Sequence, residues 1–294
     1  MLIDAVIYCG EKDFYRARLD YLADVVDKFI VIESKSYHNG NYRNNVNDNG
    51  VSRNEVNDNG VSRNNVSDFA EDFKDHPQYN KIVYRLIDCN DCFNDPVYQS
   101  YNGGKNFARE EYQRNYISTV LKELGPFNPI DKIVVADVDE IPNVDFLRKI
   151  KDLPRITKGK PYAFIGMKMF YYNHKCMMQG DNFFQATISP CNYVMNNPNI
   201  SKQFRMTTAN NVFFINAGWH LSYFTSTENI IKKIKHFLHN NWYTDEVYRD
   251  PAYINERIRS GKTLFDNRGD TLIEPDKCDI PEIFLQFENY GKDS

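Results

Sequence analysis

The sequence predicts an α/β protein in which a central, mostly parallel sheet is flanked by helices. The first observation is a strand, an amphipathic helix and a second strand within residues 2–33, a succession that implies parallel strands joined by a crossover helix. The second observation is the unbroken apolar run at residues 133–136, which is typical of a strand buried on both faces. Strands of that kind occur mainly in sheets that helices cover on both sides.

The predicted elements follow one another along the chain. In residues 11–23, apolar side chains alternate with charged ones at helical spacing, which indicates an amphipathic helix. Strands are predicted at residues 2–8, 27–33, 81–87, 133–136, 161–172, 183–188 and 211–218. Helices are predicted at residues 11–23, 105–124, 144–153, 228–238 and 251–260.

Composition is that of an ordinary soluble protein. With 294 residues, of which 41% are hydrophobic and 26% charged, the chain is long enough for one large α/β domain or two small ones. A single domain over residues 1–294 is the expectation. A net charge of −4 argues against a nucleic-acid partner. Residues 1–8 lack a basic segment, and no apolar run approaches the roughly 18 residues that span a membrane. No signal peptide or transmembrane segment is therefore predicted.

The six cysteines are scattered, and only Cys89 and Cys92 are close in sequence. One such pair lacks the second half of a zinc site, so reduced structural thiols are favoured. A cytoplasmic location is the expectation that follows.

Residues 40–68 contain a ten-residue repeat in three copies, which begin at Gly40, Gly50 and Gly60. Each copy is polar and offers too little apolar surface to form a packed layer. The repeat predicts an insertion in a surface loop, because lengthening a loop costs little closure entropy. A lid on the acceptor side of a site or a contact with a partner is the alternative.

Three carboxylates, those of Asp137, Asp139 and Glu140, follow the buried strand directly. Open α/β sheets bind ligands at the carboxyl ends of their strands. Like charges packed this closely repel, and a divalent cation with oxygen ligands would compensate them. Pro142 is expected to end the strand, so that the acids turn towards one site.

Two further segments carry candidate binding residues. The helix 105–124 leads into the acidic strand, so either Arg109 or Arg114 is placed to reach the phosphates of a ligand, although a solvated helix face is the simpler interpretation. Near residue 218, small residues precede Trp219 and His220, a pattern that lets backbone approach a ligand beside an aromatic platform. A tryptophan in such a segment is more often buried in the core.

Taken together, four blocks resemble glycosyltransferase family 17, the family of the β-1,4-mannosyl-glycoprotein 4-β-N-acetylglucosaminyltransferases. The resemblance covers residues 3–35 and 80–285. The blocks are Glu11-Lys-Asp-Phe-Tyr-Arg-Ala-Arg-Leu19 with residues 24–33, Glu111-Tyr-Gln-Arg-Asn115, Asp137-Val-Asp-Glu-Ile-Pro142, and Asn216-Ala-Gly-Trp-His-Leu-Ser-Tyr-Phe224 with the lysine-rich helix after it.

The resemblance implies a GT-A type nucleotide-diphospho-sugar transferase fold, a divalent metal (Mn²⁺ or Mg²⁺), a UDP-sugar donor, UDP-N-acetylglucosamine by expectation, and inversion at the anomeric carbon. The acceptor would be a glycan or a glycoprotein. Asp137 and Asp139 would be the DxD acids, with Asp139 on the metal and Asp137 on ribose or metal-bound water. His220 would complete the metal shell or bind sugar, and Trp219 would stack on the acceptor or on the donor sugar.

The remaining roles follow from the same resemblance. Arg109 or Arg114 would bind the phosphates, and Glu33, at the end of the second strand, would meet the nucleoside. Inversion needs one general base on the acceptor hydroxyl. Glu140 is the nearest candidate in sequence, and Asp245 and Glu246 are its rivals.

Two other functions stay open on the sequence. A sugar-nucleotide nucleotidyltransferase also holds a metal with acids at a strand end, but residues 9–12 are a sparse version of its glycine- and lysine-rich phosphate loop. A non-catalytic interaction protein that presents the repeat is the other alternative.

Overall fold

The computed structural model describes residues 1–43, 69–99, 104–157, 159–180, 182–204, 211–236, 246–265 and 271–291. The predicted insertion lies outside the described residues from position 44 to position 68. The strands are β1 (Leu2–Tyr8), β2 (Lys28–Ser34), β3 (Ile82–Ile87), β4 (Lys132–Asp137), β5 (Glu140–Pro142), β6 (Ala163–Tyr171), β7 (Met177–Met178), β8 (Phe183–Pro190), β9 (Phe213–Ser222) and β10 (Leu272–Ile273).

The helices alternate with these strands in the first half of the chain. They are α1 (Lys12–Leu22), α2 (Phe69–Phe73), α3 (Pro96–Gln99), α4 (Lys105–Leu124), α5 (Val144–Lys151), α6 (Cys191–Met195), α7 (Ile200–Phe204), α8 (Thr227–His236), α9 (Pro251–Arg259) and α10 (Glu282–Leu285). Short 3₁₀ turns, including Cys89–Asn94 and Glu246–Arg249, complete the described elements.

One mixed sheet contains all of these strands. Its path runs β10-β7-β6-β8-β4-β1-β2-β3, and β9 pairs with both β5 and β6. The four neighbouring strands β4, β1, β2 and β3 are parallel to one another, whereas β8 is antiparallel to β4 and to β6. The predicted α/β class, a mixed central sheet with a parallel half and flanking helices, is confirmed.

Helices cover the parallel half of the sheet on both faces. Val6 of β1 belongs to the same hydrophobic cluster as Leu22 of α1, while Ala5 belongs to a second cluster with Ile117 of α4. The two faces differ because successive strand residues point to opposite sides. Burial of each large apolar side chain contributes about 1.5–3 kcal/mol, so both faces must be covered for the sheet to be stable.

The chain turns sharply after β4, and two sequence predictions change there. The strand ends at Asp137, two turn residues follow, and Glu140–Pro142 forms the new strand β5, antiparallel to β9. Pro142 therefore ends β5 and not β4. β9 runs through Ser222 instead of stopping at Gly218, because β5 and β6 supply it with partners on both edges.

Gly218 itself brings two strands together. A β-carbon at this position would lie 2.3 Å from the carbonyl oxygen of Ile141, far inside van der Waals contact. The missing side chain at Gly218 therefore allows β5 to approach β9 closely, and it does not open space for a ligand. Among the described residues, no helix is long and apolar enough to cross a membrane.

Candidate active site

Asp137, the last residue of β4, and Asp139, in the turn before β5, lie at the carboxyl edge of the parallel strands. Both carboxylates are partly exposed, with 32% and 20% of their side-chain surface accessible. A buried arginine holds the turn from beneath. The Nη1 of Arg18 in α1 donates hydrogen bonds to the carbonyl oxygens of Asp137 (3.2 Å), Val138 (3.1 Å) and Glu140 (2.6 Å).

Arg18 is itself neutralised by Asp4 of β1. Its Nε and Nη2 donate to the two carboxylate oxygens of Asp4 at 2.8 and 2.7 Å, and both side chains are buried. Burial opposes the charge on Arg18, but the nearby Asp4 carboxylate outweighs it and raises the pKa of the guanidinium. The charged guanidinium of Arg18 is therefore held in place under the turn.

Asp137 is paired with Arg114 of α4. The Nη2 of Arg114 lies 2.7 Å from Asp137 Oδ1 and 2.9 Å from Glu110 Oε1. Glu110 and Arg114 therefore form an ion pair across one turn of the helix. Arg114 is buried, and of the two acids its guanidinium contacts Asp137.

Asp139 is paired with Lys233 of α8, a residue for which the sequence suggested no role. Lys233 Nζ lies 2.9 Å from Asp139 Oδ2, and His220 Nε2 lies 3.7 Å from Oδ1. Burial opposes ionisation of Asp139, but Lys233 and His220 outweigh it and hold the pKa of the carboxyl well below its usual range. The spacing of Lys233 from Ile230, three residues along an amphipathic helix, was the available signal that it faces inward.

His220 is brought to the turn by strand pairing. It lies opposite Glu140 in the β5–β9 ladder, and its ring centroid is 4.4 Å from that of Phe183. Its Nδ1 is buried and has no hydrogen-bond partner within the described part of the chain. His220 therefore lies beside Asp139, and its predicted role at a metal or a sugar stays a prediction.

Trp219 points away from the turn, because neighbours along a strand face opposite sides. Its ring is 6% exposed and belongs to the main hydrophobic cluster. The indole Nε1 donates to Asp279 Oδ1 at 3.0 Å. The ring therefore has no free face for the predicted stacking on a sugar, and its place is in the core.

Glu140 is also turned inward. Its side chain is buried, and Oε2 accepts a hydrogen bond of 2.8 Å from the backbone N–H of Asp137. A general base has to reach the acceptor hydroxyl, and this carboxylate instead supports the turn.

The other predicted bases lie beyond what the structure describes. Asp245 is outside the described residues, and Glu246 begins a 3₁₀ turn without a described side chain.

Glu33 lies one residue before the end of β2, on the same edge of the sheet. It is buried and accepts hydrogen bonds from Arg43 Nη1 (2.5 Å) and Tyr84 Oη (2.8 Å). These bonds place Glu33 beneath the segment that leads towards the repeat.

Arg109 does not reach the acids. Its Nε donates to Asn90 Oδ1 at 2.8 Å, its Nη1 donates to the carbonyl oxygen of His38 at 3.2 Å, and its guanidinium lies 5.0 Å from the ring centroid of Phe93. Arg109 therefore fixes the segment after β2, and only Arg114 of the two predicted arginines lies at the turn.

The residues at the turn fit a divalent cation that takes most of its ligands from a substrate. Within the described ranges, no three His, Cys, Asp or Glu side chains are close enough together to hold a metal. Asp139 and His220 do approach each other, and carboxylate and imidazole both suit Mn²⁺. Cations at nucleotide sites are commonly held by one or two carboxylates plus phosphate oxygens and water. Two protein ligands are enough for a site of that kind.

Comparison with known proteins identifies one family. The model described as glycosyltransferase family 17 matches residues 1–272, and no curated protein matches the chain. Two solved structures are similar over 97% of this chain and 94% of theirs: an active-site mutant of LgtC, 10% identical with a TM-score of 0.33, and the galactosyltransferase LgtC with donor and acceptor sugar analogues, 11% identical with a TM-score of 0.33. Likeness at this level assigns no activity to the chain.

Proposed function

The chain belongs to glycosyltransferase family 17, and from this premise we propose that it transfers N-acetylglucosamine from UDP-N-acetylglucosamine to a hydroxyl of a glycan or glycoprotein. The observation that carries the proposal is the turn after β4, where Asp137 and Asp139 lie beside Arg114, Lys233 and His220. Acids that attract a cation, together with protein cations, are what a nucleoside diphosphate requires.

In this proposal the diphosphate of the donor lies over the turn. Arg114 would donate charge-assisted hydrogen bonds to it from the α4 side, and Asp139 with His220 would hold a divalent cation, Mn²⁺ or Mg²⁺. That cation would supply electrostatic stabilisation of the diphosphate leaving group. Asp137 would bond the ribose or a water bound to that cation.

The nucleoside lies towards the ends of β1 and β2. Glu33 and its partners Arg43 and Tyr84 line this part of the sheet edge. We assign Glu33 the role of fixing Arg43 and Tyr84 against the nucleoside, because its own oxygens are already engaged with both side chains.

Inversion needs a base on the acceptor side of the donor sugar. Glu140 is buried under the turn, so its proposed role is to fix the Asp137 backbone. Asp245 and Glu246 remain the predicted bases. The acceptor hydroxyl would lose its proton to one of them as the bond to the anomeric carbon forms.

The proposed function is tested by a thermal-shift panel of nucleotide sugars with and without Mn²⁺. UDP-N-acetylglucosamine with Mn²⁺ is expected to stabilise the chain by about 2.7 kcal/mol at about 100 times its Kd. For a protein of this size that amounts to a rise in Tm of about 5–10 °C. Failure of every nucleotide sugar to stabilise the protein, with and without metal, would contradict the proposal. ADP- and GDP-sugars serve as matched controls for recognition of the uracil nucleobase.

A further inference from the structure

The carboxylate of Asp139 is paired with a positively charged side chain of the protein, that of Lys233. Lys233 reaches the carboxylate from α8, and 35% of its side-chain surface is accessible, so the side chain is not part of the closed core. The ammonium of Lys233 lies 2.9 Å from Asp139 Oδ2 and so compensates the charge of that carboxylate.

In addition to Asp139, Lys233 contacts Tyr223. Its Nζ lies 5.4 Å from the ring centroid of Tyr223, within range of a cation–π interaction. Tyr223 has a φ of 60°, in the left-handed region that a tyrosine seldom adopts. Its ring is buried against those of Tyr171 and Tyr172, with centroid distances of 5.9 and 6.1 Å. Packing thus holds a strained residue under the ammonium.

Two cations cannot share the Asp139 carboxylate without repulsion. We propose that Lys233 is an exchangeable counter-ion: a divalent cation displaces it from Asp139, and the displaced ammonium, kept near the turn by Tyr223, binds the diphosphate of the donor. This proposal rests on the proposed function, because it assumes a nucleoside diphosphate at the turn. Lys233 thereby becomes a donor-binding residue.

In the proposed exchange, Lys233 lowers the affinity for the metal and raises the affinity for the nucleotide. Without nucleotide, Lys233 competes with the metal, so the free protein binds Mn²⁺ weakly. With the diphosphate bound, Lys233 supplies a charge-assisted hydrogen bond to it. Metal and nucleotide should therefore strengthen one another's binding. The metal compensates Asp139 and frees the Lys233 ammonium, and the diphosphate then compensates that ammonium.

The test is the variant Lys233→Met, which keeps most of the length of the side chain and removes its charge. Mn²⁺ binding without nucleotide is measured from the electron paramagnetic resonance signal of free Mn²⁺, and UDP binding at saturating Mn²⁺ is measured by calorimetry. We expect Mn²⁺ affinity to rise about tenfold and UDP affinity to fall about tenfold, within the usual range of coupling between sites.

Two further variants make the result specific. Lys232→Met removes the charge of the neighbouring exposed residue, and both affinities should stay within about twofold of wild type. Lys233→Arg keeps the charge and should preserve weak Mn²⁺ binding. Should Lys233→Met fail to fold, Lys233→Gln, which can still accept and donate hydrogen bonds, takes its place.

The outcomes separate the two proposals. Unchanged or weaker Mn²⁺ binding by Lys233→Met, or unchanged UDP binding, overturns the exchange while the proposed function stands. Absence of UDP binding by the wild-type protein at every Mn²⁺ concentration overturns both. A loss of both affinities together shows a structural role for Lys233 and also overturns the exchange.

Discussion

Two carboxylates at the edge of the sheet, those of Asp137 and Asp139, are each matched by a cation from a different helix. Arg114 comes from α4 and Lys233 from α8. Each acid could be found from the sequence, because both follow a buried apolar strand. Lys233 could not, because 94 residues separate it from Asp139 and no local pattern reports a contact at that distance.

Trp219 and His220 illustrate the same limit. The sequence presented them as one aromatic block facing a ligand, but adjacent residues of a strand face opposite sides. The structure places His220 at the acids and Trp219 in the core. Which of the two faces the site depends on the register of β9 against β5, and that register is set by the tertiary fold.

Arg114 gives a first prediction for a single side chain. Arg114→Met leaves Glu110 and Asp137 without their shared cation, and Glu110 is mostly buried. The free energy of unfolding should fall by about 1–3 kcal/mol, below the value for a fully buried pair because Asp137 is partly exposed. Urea denaturation measures this change.

A matched control exists on the surface of α5. Arg148 makes an ion pair of 3.1 Å with Asp145, and both side chains are more than half exposed. Arg148→Met should change stability by no more than about 0.5 kcal/mol. Equal effects of the two substitutions would refute a special role of Arg114, and so would undiminished UDP affinity in Arg114→Met.

Helix α1 supports the turn after β4 through Arg18. The amphipathic pattern predicted the helix and its buried face, and the structure confirms the element within one residue at each end. The pattern did not predict that a charged residue on this face is buried. Arg18 contacts the turn 119 to 122 residues further along the chain, so this role was visible only in three dimensions.

Replacement of Arg18 gives a second prediction. Arg18→Met leaves Asp4 buried and unpaired, which should lower the free energy of unfolding by about 3–5 kcal/mol. The double variant Asp4→Leu with Arg18→Met removes the uncompensated charge and should recover much of that loss. Chemical denaturation gives both values.

The same pair of variants separates stability from the site. The double variant still lacks the three hydrogen bonds from Arg18 to the turn, so its UDP affinity in the presence of Mn²⁺ should stay low. Recovery of UDP affinity together with stability would show that Arg18 has no positioning role.

The whole sheet brings the site together from distant parts of the chain. The parallel strands β1, β2 and β4 provide the edge with Glu33 and Asp137, while β5 and β9 bring His220 to the turn. Strand and helix positions could be predicted because periodicity is local. The pairing of β5 with β9 could not, because Glu140–Pro142 is too short to show a strand pattern.

The account centres on Asp139 as the residue through which a divalent cation and the donor are held. Its most direct test is the release of UDP from UDP-N-acetylglucosamine with Mn²⁺, with and without a glycan acceptor, by wild-type protein and by Asp139→Ala. Asp145→Ala, which removes an exposed carboxylate in α5, is the control. We expect Asp139→Ala to lose at least about 100-fold in kcat/KM, equivalent to about 2.7 kcal/mol, and Asp145→Ala to match the wild type. Mn²⁺-dependent UDP release by Asp139→Ala at the wild-type rate would contradict the account.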